Sequence, residues 1–224
     1  MARRISFGVD EWYHCYNRGV DKREIFGSED DAKRFLMHLY LCNGSKPVAL
    51  YDIEKPSLPK AYAEDRGSAL VDIGAFCLMP NHYHLLIREV SEGGITSFMR
   101  KLGTAYTMYF NLKYERVGHL FSGPFRARHI ANERYFQYVI QYIHCNPAEL
   151  YEPGWKSGKV KNLTVLEKKL VEYPFSSLVS FERKSTNPIL SREIFEMTHR
   201  EPLSRMLKYC HEYYADISND KFER

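Results

Sequence analysis

Leu70-Val71-Asp72-Ile73-Gly74-Ala75-Phe76-Cys77-Leu78-Met79-Pro80-Asn81-His82-Tyr83-His84-Leu85-Leu86-Ile87-Arg88-Glu89 consists of two apolar, strand-like runs interrupted by one Pro-Asn pair. Proline presets φ at the second position of a tight turn and asparagine tolerates the third, so the stretch predicts a β-hairpin. Side chains alternate across a strand, so His82 and His84 point to one face. Two imidazoles aimed the same way can hold a divalent metal, whereas a lone strand histidine is ordinarily a half-buried structural residue.

Upstream, Trp12-Tyr13-His14-Cys15-Tyr16 reads as a first strand ending at the turn Asn17-Arg18-Gly19. Ser28 followed by Glu29, Asp30 and Asp31 is a helix start, with periodic apolar residues to about Cys42 and Asn43-Gly44 as the stop. Residues 44–68 carry Pro47, Pro56, Pro59 and Gly67 and read as a loop, with a short strand possible at Val48–Ile53. Downstream, Ile95, Phe98, Met99, Leu102, Tyr106, Tyr109 and Phe110 recur at three and four, giving a helix to about Tyr114. Phe125 to Ile130 can form a further strand, and a last helix runs from Asn132 or Glu133 to Asn146, where Pro147 stops it. The order strand, helix, strand, strand, helix, strand, helix predicts an α+β fold: a ferredoxin-like split-βαβ antiparallel sheet with helices on one face. The other face would be left polar and functional. Residues 1–150 are assigned to this domain and 151–224 to a C-terminal accessory extension, helical over Ser191 to Tyr214.

The last helix carries its own pattern. At about 100° per residue, Phe136, Val139, Ile140 and Ile143 form an apolar stripe, with Gln137, Gln141 and His144 roughly opposite. Tyr135, Tyr138, Tyr142 and Asn146 lie along the border. Tyr142 and Asn146, four apart, share a face. Spacing alone leaves Tyr142 equally readable as a core tyrosine, one of 17, and Asn146 as an ordinary helix-end residue.

Composition narrows the partners. The net charge is +4, and the whole excess falls in residues 71–161, with 11 basic against 7 acidic side chains. Basic residues interleaved with Tyr106, Tyr109, Phe110, Tyr114, Phe121 and Phe125 suit nucleic acid, although a solvated charged face would look similar. The five cysteines form no C-x-x-C pair, which favours a reducing cytoplasm over a disulfide framework. No apolar run approaches the ~20 residues needed to span a bilayer. The basic start Arg3-Arg4 is not followed by the apolar region of a signal peptide.

Several blocks, taken in order, resemble one family. Met79-Pro80-Asn81-His82-Tyr83-His84-Leu85-Leu86 resembles the HUH motif of the single-tyrosine HUH (IS200-like) transposases. Tyr142-Ile143-His144-Cys145-Asn146-Pro147 resembles their tyrosine helix, in the branch of REP-associated tyrosine transposases. Tyr16-Asn17-Arg18-Gly19, Gly118-His119-Leu120-Phe121-Ser122-Gly123-Pro124-Phe125-Arg126 and Tyr173-Pro174-Phe175-Ser176-Ser177 resemble further blocks of that family. Phe121, Ser122 and Pro124 depart from its common Trp, Gln and Arg.

The resemblance implies a metal-dependent single-strand DNA endonuclease and strand transferase. His82, His84 and Asn146 would bind Mg²⁺ or Mn²⁺, and Tyr142 would be the nucleophile forming a 5′-phosphotyrosine. The substrate would be single-stranded or hairpin DNA, with Arg18, Lys101, Arg126 and Arg128 as candidate DNA contacts. Relatives of this kind are monomers or homodimers. Two other readings stay open from the sequence. One is a non-catalytic nucleic-acid-binding ferredoxin-like module. The other is a metallohydrolase that completes its site with Asp72 or Glu89.

Overall fold

The two hairpin runs form β2 (Val71–Met79) and β3 (His82–Glu89), turning at Pro80-Asn81. With β1 (Trp12–Arg18) and β4 (Arg126–His129) they build a four-stranded sheet in the order β2-β3-β1-β4, and all three neighbouring pairs are antiparallel. The helix α1 (Glu29–Leu41) leads from β1 towards β2, and α3 (Gly94–Lys113) leads from β3 to β4. This is the ferredoxin-like α+β arrangement that the order of elements predicts. The computed structural model describes residues 6–157, 159–198 and 201–217, with the backbone alone at 157 and 211–217. Arg3 and Arg4, read above as a basic start, lie outside the described residues.

Local chemistry explains where α1 begins. Ser28 Oγ accepts the Asp31 N–H while the Asp31 carboxylate accepts the Ser28 N–H, a reciprocal cap that satisfies two otherwise orphaned donors. The same carboxylate is fully buried and accepts from Tyr109 (2.9 Å), Tyr114 (2.6 Å) and Lys113 (2.7 Å), so it ties α1 to the end of α3. Burial opposes its ionisation, but the bonds from Lys113, Tyr114, Tyr109 and Ser28 outweigh it and hold the carboxyl below its usual range. A depressed carboxyl stabilises the fold above its unfolded pKa, and that contribution fades as pH falls through the folded value. Asp31→Asn is therefore expected to cost about 2–3 kcal/mol at pH 7, measured by urea unfolding. The gap to the parent should narrow below about pH 4, and a gap that stays constant down to pH 2 would contradict this account.

The strand register sorts side chains onto two faces. Tyr83, Leu85 and Ile87 point towards α1 and α3; Phe35 of α1 lies 5.0 Å from Tyr83, and Tyr106 of α3 lies 4.9 Å from Phe35, ring to ring. Trp12, His14, Tyr16, His82, His84 and Leu86 point the other way. That second face is not open, which corrects the expectation of helices on one face only. The helix α4 (Glu133–Cys145) covers it, with Phe136 against Trp12 at 5.4 Å. Both faces of the central strands are apolar, so both need cover: Trp12 and Leu86 are buried just as Leu85 is. At the bulge beside Gly74, a Cβ would sit 2.8 Å from Trp12 and 2.9 Å from Ile194, so glycine is what lets the second layer close.

Residues 44–68 contain no strand at 48–53. Leu50–Asp52 form a 3₁₀ turn instead, because Leu50 drops into a small cluster with Met37, Leu41 and Ala61. The short helix α2 (Leu58–Ala63) follows, with Pro59 in its first turn. Beyond α4 come α5 (Ala148–Tyr151), α6 (Leu163–Glu172), α7 (Leu178–Arg183), α8 (Ile194–Met197) and α9 (Leu203–Ile217). The single helix expected over 191–214 is thus two, with Pro202 standing immediately before α9. Residues from this stretch (Leu166, Leu170, Leu178, Ile194 and Leu203) join the main core. Phe175 to Ser177 run along the edge of β2, where Leu78 N–H donates to the Phe175 carbonyl and Ser177 N–H to the Phe76 carbonyl. An edge strand covered this way no longer presents unpaired backbone groups. No helix among the described residues is long and apolar enough to cross a membrane.

Candidate active site

The face of the sheet under α4 carries a cavity of about 330 Å³. His82 and His84 enter it from β3, Tyr16 and Arg18 from β1, and Tyr142 and Asn146 from α4 and its end. Period-two alternation puts His82 and His84 on one face, and pairing of β1 with β3 sets Tyr16 opposite His84 and Arg18 opposite His82. On α4, Asn132 caps the start by accepting the Tyr135 N–H, and the 13-residue helix then delivers Tyr142 and Asn146 to the same side. The ring of Tyr142 stands edge-on to His84, with centroids 5.3 Å apart and planes at 82°.

The two histidines are held through their Nδ1 atoms. Asn81 Oδ1 lies 2.6 Å from His82 Nδ1. An amide oxygen can only accept, so Nδ1 carries the proton and the lone pair lies on Nε2. His84 Nδ1 lies 2.9 Å from Nε2 of a further histidine, His14 of β1. His84 Nε2 is buried and has no hydrogen-bond partner. Asn146 donates Nδ2–H to the Tyr142 carbonyl (2.9 Å).

Electrostatics keep these rings neutral. Burial, then the charges of Arg18 and Lys156, pushes His82 down to about 3 against a smaller opposing pull from Asn146. Burial pushes His84 well below the usual histidine range, with His82, His14, Lys156 and Arg18 adding to it. His14 is pushed down to about 3 by burial and by Arg128. Neutral imidazole is the form that binds metals. A buried nitrogen with no partner, beside a second imidazole and an amide, is a donor set that fits Mg²⁺ or Mn²⁺, and Mn²⁺ better on ligand type. Among the described residues no group of three His, Cys, Asp or Glu is arranged to hold a metal. The carboxylates weighed from the sequence do not serve: Asp72 accepts from Arg88 (2.9 Å), and Glu89 lies on the opposite face accepting the Ile95 N–H at 2.6 Å.

Of the basic candidates, Arg18 lines the cavity, and Arg126 and Arg128 lie on β4 opposite Tyr16 and His14, on the cavity's face. Lys101 is not brought there. It sits on α3 across the sheet, where Nζ donates to the Gly44 carbonyl (2.9 Å). Charge counting finds basic residues but carries no information about which face a helix presents.

The sequence reading missed His14, which lies behind His84, and Lys156, which lines the cavity. His14 shares a strand face with Tyr16 and Arg18 at spacings of two, a signal that was available in the alternation. Lys156 lies in a 3₁₀ turn past Pro147, paired with Glu149 at 2.5 Å, and no local pattern marks it.

A family described as transposase IS200-like matches residues 32–146, more than half of the chain. Among solved structures, a REP-associated tyrosine transposase bound to a REP hairpin matches with a TM-score of 0.51 and 15% identity, over 90% of this chain and 95% of that one. At that identity the likeness is one of fold. No curated protein matches. The stretch matched by the family runs from α1 to Asn146 and so contains both cavity histidines and the helix of Tyr142; the chain belongs to the family of IS200-like transposases, enzymes of DNA transposition.

Proposed function

We propose that the chain is a metal-dependent endonuclease and strand transferase for single-stranded DNA beside hairpins, acting through Tyr142. The observation that carries this is the meeting of Tyr142, His82, His84, Asn146 and Arg18 in one cavity, from three elements distant in sequence. The hairpin bound by the structural neighbour supports the substrate class.

Tyr142 Oη would attack the scissile phosphorus. The new O–P bond forms as the P–O3′ bond breaks, the phenol gives up its proton, and the departing oxygen takes one to become a free 3′-hydroxyl. The 5′ end remains on Tyr142 as a phosphodiester, so attack by another 3′-hydroxyl rejoins DNA with no nucleotide cofactor. A phenol of pKa about 10 is a weak nucleophile at neutral pH. His82, His84 and Asn146 would hold the cation, which when bound polarises the phosphate and offsets the developing charge. Arg18 would hold a phosphate at the cavity, and Arg126 and Arg128 would lead the strand along the same face. Such contacts make binding weaken as salt rises.

Chelation separates binding from cleavage. With EDTA, nicking of a labelled hairpin oligonucleotide is expected to fall at least about 100-fold, to return with Mn²⁺ or Mg²⁺, and to leave gel-shift binding within severalfold. Undiminished cleavage in EDTA would contradict the proposed metal dependence.

A further inference from the structure

We infer that His14, a residue outside the HUH motif, is the positioning residue that fixes which nitrogen of His84 faces the cavity. The inference rests on the metal-binding reading of the site given above. His14 Nε2 and His84 Nδ1 are 2.9 Å apart, and both rings are buried. The ring centroids are 5.1 Å apart and the planes differ by only 26°, so the rings lie nearly end to end and share the bond close to their own planes.

One proton sits in that bond. Two neutral imidazoles can make it in two ways. If His14 donates from Nε2, His84 accepts at Nδ1 and must carry its proton on Nε2, pointing a donor into the cavity where a cation would be repelled. If His84 donates from Nδ1, its lone pair lies on Nε2, the buried atom that has no partner within the protein. The second arrangement matches His82, whose Nδ1 is fixed as a donor by Asn81. Each cavity histidine then has one dedicated acceptor behind it: an amide oxygen for His82, and an imidazole nitrogen from the neighbouring strand for His84. Partners of this kind orient a ligand and raise its basicity. Tyr142 also touches both rings, at 5.7 Å from His14 and 5.3 Å from His84, so a turn of the His84 ring would disturb the tyrosine as well.

The test uses the full chain at pH 7 and three variants. His14→Phe keeps a planar ring but removes the acceptor, and His14→Gln offers an amide oxygen in its place. His84→Ala identifies the His84 signals in the spectra. Two-bond ¹H–¹⁵N correlation spectra of the parent are expected to show His84 protonated at Nδ1 and bare at Nε2. Calorimetric Mn²⁺ affinity is expected to fall about 10- to 100-fold in His14→Phe and to recover most of that in His14→Gln. Metal-free binding of a hairpin oligonucleotide should change little in either. A parent spectrum with the His84 proton on Nε2, or a His14→Phe protein that binds Mn²⁺ as the parent does, would overturn the inference. If His14→Phe does not fold, the parent spectrum and the His14→Gln affinity decide. A parent that binds no Mn²⁺ would sink the proposed function instead, and the tautomer would still show whether His14 governs His84.

Discussion

Tyr142→Phe is expected to abolish the covalent protein–DNA adduct. The substitution removes one oxygen atom and leaves the ring that stands against His14 and His84, so fold and DNA binding should persist. Loss of a covalent nucleophile removes the reaction path itself, and a drop in cleavage of at least about 10³-fold is the expected scale. The check is an adduct gel with a labelled hairpin oligonucleotide, followed by mass spectrometry of the labelled peptide in the parent. A Tyr142→Phe protein that still forms the adduct, or a parent adduct on another tyrosine, would end the assignment of Tyr142. Tyr16 also lines the cavity, so Tyr16→Phe is the natural control, and it should keep the adduct.

His82→Ala is expected to lower cleavage about 10²- to 10³-fold, the scale for removing one electrostatic stabiliser of a transition state. It should leave hairpin binding within severalfold. The ring contacts His84 edge-on at 5.0 Å and donates from Nδ1 to Asn81 Oδ1, but it is only half-buried, next to the hairpin turn and not in the centre of the core. Its loss should therefore cost little stability. Excess Mn²⁺ should rescue the variant in part, since a site with two remaining donors binds more weakly but is not destroyed. Cleavage at parental rate would remove His82 from the site. Loss of DNA binding in parallel with cleavage would point to a structural role for the residue.

The hairpin, its turn and the capped start of α1 were legible because each is set by a few neighbouring residues. Pro80-Asn81 has its turn geometry built in, and Ser28 with Asp31 closes a reciprocal cap within four residues. The co-facing of His82 with His84, and of Tyr142 with Asn146, follows from backbone periods alone. The short strand expected at 48–53 was not found, because Leu50 had a better place in a local apolar cluster than in a ladder. The polar side of α4, read from the sequence only as lying opposite the apolar stripe, is largely covered by tertiary packing. Gln141 and His144 are buried, with His144 Nε2 2.9 Å from Ser177 Oγ of the segment that borders β2.

What the sequence determined by itself is the local set of directions: which residues turn, which alternate, and which share a helix stripe. Only the tertiary structure set the register of β1 against β3, which brings His14 against His84 across 70 residues. It alone decided that α4 covers the histidine face, and that Lys101 looks away while Arg126 and Arg128 do not. The reason is physical. Backbone periods act over a few residues, whereas the choice among strand partners and helix faces is made by burying both apolar sides of the sheet at once.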